Sequence, residues 1–162
     1  MELAVRPATS ADAAAILAVI AAVAAEDRFI ATQVPFDREQ RTRDLAAALD
    51  EGRAYSFVVE TPEGIVGELT LRLRDGVAQF GMGVDHSHRG CGAGGRLLNA
   101  LIAWANVHGT PALRMDVFEH NTAAIRLYRS RGFAETGERK AVGRANGEVW
   151  QAIGMQLRID AT

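Results

Sequence analysis

Arg89-Gly90-Cys91-Gly92-Ala93-Gly94-Gly95 is the stretch on which the reading of this chain turns. It lies between an apolar run of strand character, Val77 to Val84, and an apolar helical run, Leu97 to Val107. A loop almost without side chains at such a junction exposes backbone N–H groups along a curve. The helix behind it adds its own unpaired N–H groups and the positive end of its dipole. Such a place suits a phosphorylated ligand.

Three readings compete. A nucleotide P-loop needs Gly, four residues and then Gly-Lys-Ser/Thr, but Gly94 is followed by Gly95 and Arg96, with nothing to hold a nucleotide's Mg²⁺ in the usual way. A dinucleotide fingerprint, G-x-G-x-x-G, is matched by Gly90, Gly92 and Gly95, and Asp116 lies at the end of the next strand-like run. Against it, the residues Asp85 to Arg89 separate the strand from the first glycine. Too little chain also follows Asp116 for a second mononucleotide half. The third reading takes Arg89-x-x-Gly92-x-Gly94 as the unit.

That unit resembles the acyl-CoA pyrophosphate loop of the GNAT N-acetyltransferase superfamily, whose pattern is Gln/Arg-x-x-Gly-x-Gly/Ala. A second stretch, Asn121-Thr-Ala-Ala-Ile-Arg-Leu-Tyr128-Arg-Ser-Arg-Gly132-Phe133, is similar to the family's other signature, and the separation of the two is also the family's. Within the superfamily, the segment Glu26 to Pro35 and the ending Asn146-Gly147-Glu148…Met155 look like bacterial enzymes of the amino-acid, peptide N-terminus or polyamine type.

Bulk properties agree with one globular domain over 1–162. The chain has 162 residues, 48% hydrophobic and 23% charged, enough apolar residues for a core and too few charges for disorder. Its net charge of −2, without a basic block, gives no footprint for nucleic acid. The single cysteine, Cys91, excludes an internal disulfide and a thiol-rich metal site. The start, Met1-Glu-Leu-Ala-Val-Arg6, lacks the order of a secretory signal, and the Ala-rich run at 11–25 is too short to span a bilayer. A cytoplasmic protein without metal or membrane contact is the expectation.

Periodicity predicts the order β-α-α-β-β-β-α-β-α-β-β. Leu3 to Pro7 reads as a strand. Ile16, Leu17, Ile20 and Val23 recur at helical spacing, and Asp37 caps a second helix over Arg38 to Glu51. Ala54 to Glu60, Ile65 to Arg74 and Val77 to Val84 form a meander, with Asp75-Gly76 as a tight turn. Helix Gly94–Val107, strand Ala112–Val117 and helix Thr122–Arg131 follow. Ala134 to Val142 and Glu148 to Arg158 form a last hairpin. The class is α/β: a mixed, largely antiparallel seven-stranded sheet flanked by four helices. It is also the GNAT order, and the resemblance implies that the strands on either side of the glycine-loop helix splay to admit the pantetheine arm.

The resemblance implies acetyl-CoA as co-substrate and assigns duties. Amides of Arg89, Gly90, Cys91, Gly92, Ala93 and Gly94 hold the pyrophosphate, with charge from Arg89 or Arg96. A backbone N–H near Met82 or Val84 serves as oxyanion donor. Tyr128 protonates the departing thiolate, and Asn121 caps its helix and touches the pantetheine. Many relatives carry a Glu where Gln79 stands, so the base is left to Glu68, to Glu119 or to water. Glu26 and Asp27 suit a cationic amine, beside Phe29. The expected partner is a small-molecule or peptide amine attacking directly in a ternary complex. A homodimer stays open, as do a non-catalytic acyl-CoA sensor and a dinucleotide-dependent oxidoreductase.

Overall fold

The computed structural model describes residues 2–160. Seven strands form one sheet in the order β1-β2-β3-β4-β5-β7-β6. They are β1 Ala4–Pro7, β2 Tyr55–Thr61, β3 Gly64–Arg74, β4 Val77–Val84, β5 Ala112–Phe118, β6 Ala134–Gly143 and β7 Val149–Arg158. The helices are α1 Ala13–Ala25, α2 Arg38–Asp50, α3 Ala93–His108 and α4 Thr122–Ser130. Element order and type match the sequence reading, and most ends move by only one or two residues; α1 starts later, because a 3₁₀ turn occupies Ser10–Asp12.

Local chemistry explains the main ends. Asp37 accepts a hydrogen bond from Gln40 N–H and starts α2. Gly109, in the left-handed region at φ 67°, closes α3 by donating to the Ala105 carbonyl. Asp75 and Gly76 both have positive φ, the combination a two-residue hairpin between β3 and β4 demands.

Alternation along the strands sorts side chains between two cores. Phe57, Val59, Leu69 and Phe80 join Leu97, Leu101, Ile125, Tyr128 and Phe133 in the larger cluster, on the α3 and α4 face. Val58 packs on the opposite face with Ile16, Leu17, Leu45 and Ala48 of α1 and α2. Helix α1 carries no polar residue at all, so it is held by that burial alone.

One join in the sheet is short. Strands β4 and β5 are parallel and pair only at Ala78↔Leu113 and Gln79↔Arg114. Every other neighbouring pair of strands is antiparallel, with at least four registers. Beyond Gln79 the strands part, leaving a wedge whose edges are backbone.

Candidate active site

The wedge opens into a cleft of ≈ 620 Å³. Its walls are the free end of β4 (Gly81 to Val84), the end of β5 (Met115 to Phe118) and one side of α4 (Asn121, Ala124, Leu127, Tyr128). The glycine loop also lines it. Phe29, Ile30 and Ala31, from the connection between α1 and α2, line it as well.

The loop has the form of an anion cradle. Gly90 and Gly92 stand at φ 75° and 91°, and nothing lies within 4 Å of where a Cβ on either would sit. Gly92 is the N-cap residue of α3, so the first amides of that helix follow directly. Gly94 is different. A Cβ there would meet Leu127 Cδ2 at 2.9 Å and Met82 Cε at 3.2 Å. Its bareness lets α3 pack against α4 and β4. Cys91 is exposed and donates its thiol proton to the His88 carbonyl at 2.7 Å. Ala93 is buried as the first residue of α3.

Backbone direction along β4 follows from one bond. Asp85 N–H donates to the Val66 carbonyl at 2.8 Å, and the β3/β4 register runs without a bulge. In such a ladder alternate residues turn their N–H groups to the partner strand. The odd residues Gly83 and Gly81 therefore face β3, and the amides of Val84 and Met82 point into the wedge. The Val84 carbonyl points the same way and accepts from Arg89 Nε at 3.0 Å.

The charges first assigned to ligands are largely committed within the protein. Arg89 makes a bidentate pair with Glu26, at 2.6 and 2.5 Å, and lies 4.8 Å from the centre of the Phe29 ring. The Arg89 hydrogen bond holds the Glu26 carboxyl below its usual range. Asp27 pairs with Arg144 at 2.5 Å. Neither Glu26 nor Asp27 is a free anion for a cationic amine, and Arg89 is not a free cation for a phosphate. Arg96 donates to the Leu3 carbonyl at 2.8 Å.

Arg144, in the turn between β6 and β7, was not legible as a functional residue. Its side chain is fully buried and also donates to the carbonyls of Ile30 and Ala31. The guanidinium carbon lies 4.1 Å from the centre of the Trp150 ring. His120 Nε2 reaches the Arg28 carbonyl, and Gln33 Oε1 accepts from Ala145 N–H. The α1–α2 connection is thus pinned to the last hairpin at several points, with a span from Asp27 to Arg144 that no local pattern announces.

Gln79 lies on the strand before the glycine loop, as read, but away from the cleft. It lies in the paired part of β4 and faces a separate polar groove with Arg114, Arg139 and Lys140. Glu119 is half exposed and paired with Arg139. His88 is held by Asp85 at 3.2 Å, and His86 is exposed.

Glu68 is the one buried carboxylate, 4% exposed, among the described residues. It stands opposite Gly83 in the β3/β4 register, on the α1 face. A Cβ on Gly83 would lie 3.9 Å from Glu68 Oε1. Burial pushes its carboxyl up to about 8, against lowering by a hydrogen bond from Thr70 and by the charge of Arg41. Tyr128 lies on the other face, its ring edge-on to Phe80 with centroids 6.2 Å apart. Burial first, and then the charge of Glu68, raises its hydroxyl above the usual range. Asn121 caps α4, its Oδ1 accepting from Ala124 N–H at 3.2 Å.

The chain belongs to the Acetyltransferase (GNAT) family, whose model matches residues 21–133. Enzymes of this family use acetyl-CoA. The chain is similar to an L-methionine sulfoximine/L-methionine sulfone acetyltransferase of Pseudomonas paraeruginosa, 27% identical, covering 100% of this chain and 98% of the relative. The structure of yncA from Salmonella typhimurium, which contains its cofactor acetyl-CoA, is 27% identical with a TM-score of 0.84, covering 100% of this chain and 96% of that one. A ribosomal-protein-alanine N-acetyltransferase from Brucella melitensis is 28% identical with a TM-score of 0.83, covering 96% and 99%. Family and fold match the resemblance read from the two motifs.

Proposed function

We propose that this chain is an acetyl-CoA-dependent N-acetyltransferase acting on the amine of an amino acid or a peptide N-terminus. The observation that carries the reading is the wedge between β4 and β5. An open glycine cradle lines it, Tyr128 lies in its wall, and Glu68 is buried on the other face of the sheet opposite Gly83, which also lines it.

Acetyl-CoA, when bound, supplies an acetyl thioester. Amides of Gly90 to Ala93 hold its pyrophosphate, and Asn121 lies along the pantetheine side. The Met82 N–H, turned into the wedge, donates to the thioester oxygen as charge grows there. Glu68 Oε1 takes the proton of the acceptor amine through one water molecule, on the side where Gly81 leaves open space. An α-amino group of pKa about 8 is mostly charged at neutral pH. A carboxylate raised to about 8 is a better match to it than an exposed one. The Tyr128 hydroxyl, kept protonated by burial, gives its proton to the departing sulfur.

The acids near the acceptor mouth narrow the acceptor. Glu26, Asp27 and Asp116 are paired with Arg89, Arg144 and Lys140. A polyamine therefore loses the anionic support once expected for it. One amine beside the apolar walls of Phe29, Ile30 and Val142 fits better. The two relatives named for an amino-acid analogue and for a protein alanine support the same choice.

The test is an acceptor screen with acetyl-CoA, read by release of free thiol. It should include L-methionine sulfone, single amino acids, an alanine-led peptide and spermidine. Turnover with amino acids or the peptide is expected. Binding of acetyl-CoA without turnover on any amine would favour a sensor domain, and turnover confined to spermidine would overturn the acceptor class.

A further inference from the structure

Three polar side chains share the face of the sheet that packs under α1 and α2. Ser56 of β2 stands directly opposite Thr70 of β3, and Glu68 is two residues back along the same strand. Ser56 Oγ and Thr70 Oγ1 are 2.6 Å apart, and Thr70 Oγ1 donates to Glu68 Oε2 at 3.0 Å. Ser56 and Glu68 are buried, at 3% and 4% exposure, beside the fully buried Val58. A hydroxyl pair, one of it buried, ending on a buried carboxyl has no packing reason to be polar.

We propose that Thr70, backed by Ser56, is a positioning residue that sets which oxygen of Glu68 faces the cleft and at what pH that oxygen is a base. The proposal rests on the reading of Glu68 as base. With Oε2 tethered to Thr70, the carboxyl is turned so that Oε1 lies toward Gly83, a residue of the cleft wall, beside the side chain of Val23. Ser56 donates to Thr70 Oγ1, which leaves the single Thr70 proton for Glu68. When Glu68 is protonated the same chain reverses, because a hydroxyl both donates and accepts. Both protonation states are therefore held in one orientation. A base that cycles between them needs this.

Other groups around Glu68 leave Thr70 as its direct hydrogen-bond donor. Helix α1 has no ionisable side chain along its whole length. Helix α2 contributes the charge of Arg41, at longer range, and α4 contributes Tyr128. Strand β4 contributes Gly81 and Gly83, opposite Thr70 and Glu68. A hydrogen bond to the ionised form favours that form, so removing it moves the carboxyl further up, against the lowering it now exerts.

The experiment is a ¹³C NMR titration of the Glu68 carboxyl in the intact protein, with Glu68→Gln to assign the resonance. It compares the wild type with Thr70→Val, Thr70→Ser and Ser56→Ala. Thr70→Val should raise the midpoint by about one pH unit. Thr70→Ser, which keeps the hydroxyl, should stay near wild type, and Ser56→Ala should move it less, in the same direction. Should Thr70→Val fail to fold, Thr70→Ala reads the same quantity. An unmoved midpoint in the folded hydroxyl-less variant overturns the proposal. The pH profile of kcat/KM separates it from the reading beneath. A Glu68→Gln enzyme that keeps the acidic limb removes Glu68 as base, whatever the titration shows. If Glu68→Gln flattens that limb, Thr70→Val should shift it upward, and Thr70→Ser should restore it. A limb unmoved by Thr70→Val, with Glu68→Gln flat, removes Thr70 alone.

Discussion

Glu68 and Tyr128 stand on opposite faces of the sheet, Tyr128 in the wall of the cleft and Glu68 buried beside Gly83, which lines it. Glu68 shares the α1 face with Val58, while Tyr128 packs with Phe80 and Phe133 under α3 and α4. The parting of β4 from β5 is what lets the two faces communicate. On the function proposed for them, an acid and a base on separate faces suit a reaction in which two substrates enter from two sides.

Replacing Tyr128 with Phe should lower turnover by roughly 10²–10⁴-fold, the range for loss of a general acid. Affinity for acetyl-CoA should hold, since the hydroxyl acts on the leaving sulfur. Steady-state kinetics beside calorimetry make the check. Full turnover in the mutant would leave Tyr128 as a packing residue between Phe80 and Phe133.

The two glycines of the motif should separate in their effects. Gly92→Val forces a side chain onto a residue at φ 91° on the open face of the cradle, and CoA binding should weaken tenfold or more. Gly94→Val drives its Cβ into Leu127 and Met82, so a lowered melting temperature should be the larger effect. Calorimetry with CoA and thermal melts of both variants distinguish the cases.

Asp27→Asn should raise KM for the acceptor several-fold and leave CoA affinity within about twofold, because it loosens the Arg144 hold on the wall carrying Phe29 and Ile30. Glu26→Gln should weaken CoA binding instead, because Arg89 anchors the start of the glycine loop. Equal effects of both variants on both substrates would show that the two pairs do not act separately.

Rate should rise with pH through about 8 as Glu68 ionises, and Glu68→Gln should flatten that limb. Stability moves the other way. A carboxyl raised in the folded state favours folding most at low pH, where both states hold the proton. That advantage is lost as pH climbs from the unfolded value near 4.3 to the folded value. The wild type should therefore lose up to about 1.4 kcal/mol per pH unit across that window relative to Glu68→Gln. Urea melts from pH 4 to 9 measure the gap, and a constant gap would deny that Glu68 titrates from a buried state.

The sequence by itself determined the element order, the sheet's mixed character and the nature of the loop at 89–95. Those are local matters. Alternation along a strand, a glycine needing positive φ and an aspartate at a helix start are each decided within a few residues. Family membership was legible for a related reason, since two short motifs at a fixed separation carry it. The tertiary structure decided who partners whom. Glu26 and Asp27 look alike as adjacent acids, yet one meets Arg89 and the other a buried Arg144 more than a hundred residues away. Gln79 and Gly83 share one strand, yet only Gly83 lies where the strands have parted. Even Glu68 drew attention only as a substitute, because its strand shows an acid but not that Gly83 stands bare beside it. Charges pair with whatever the fold brings near. That choice depends on long-range packing, which no short window of residues contains.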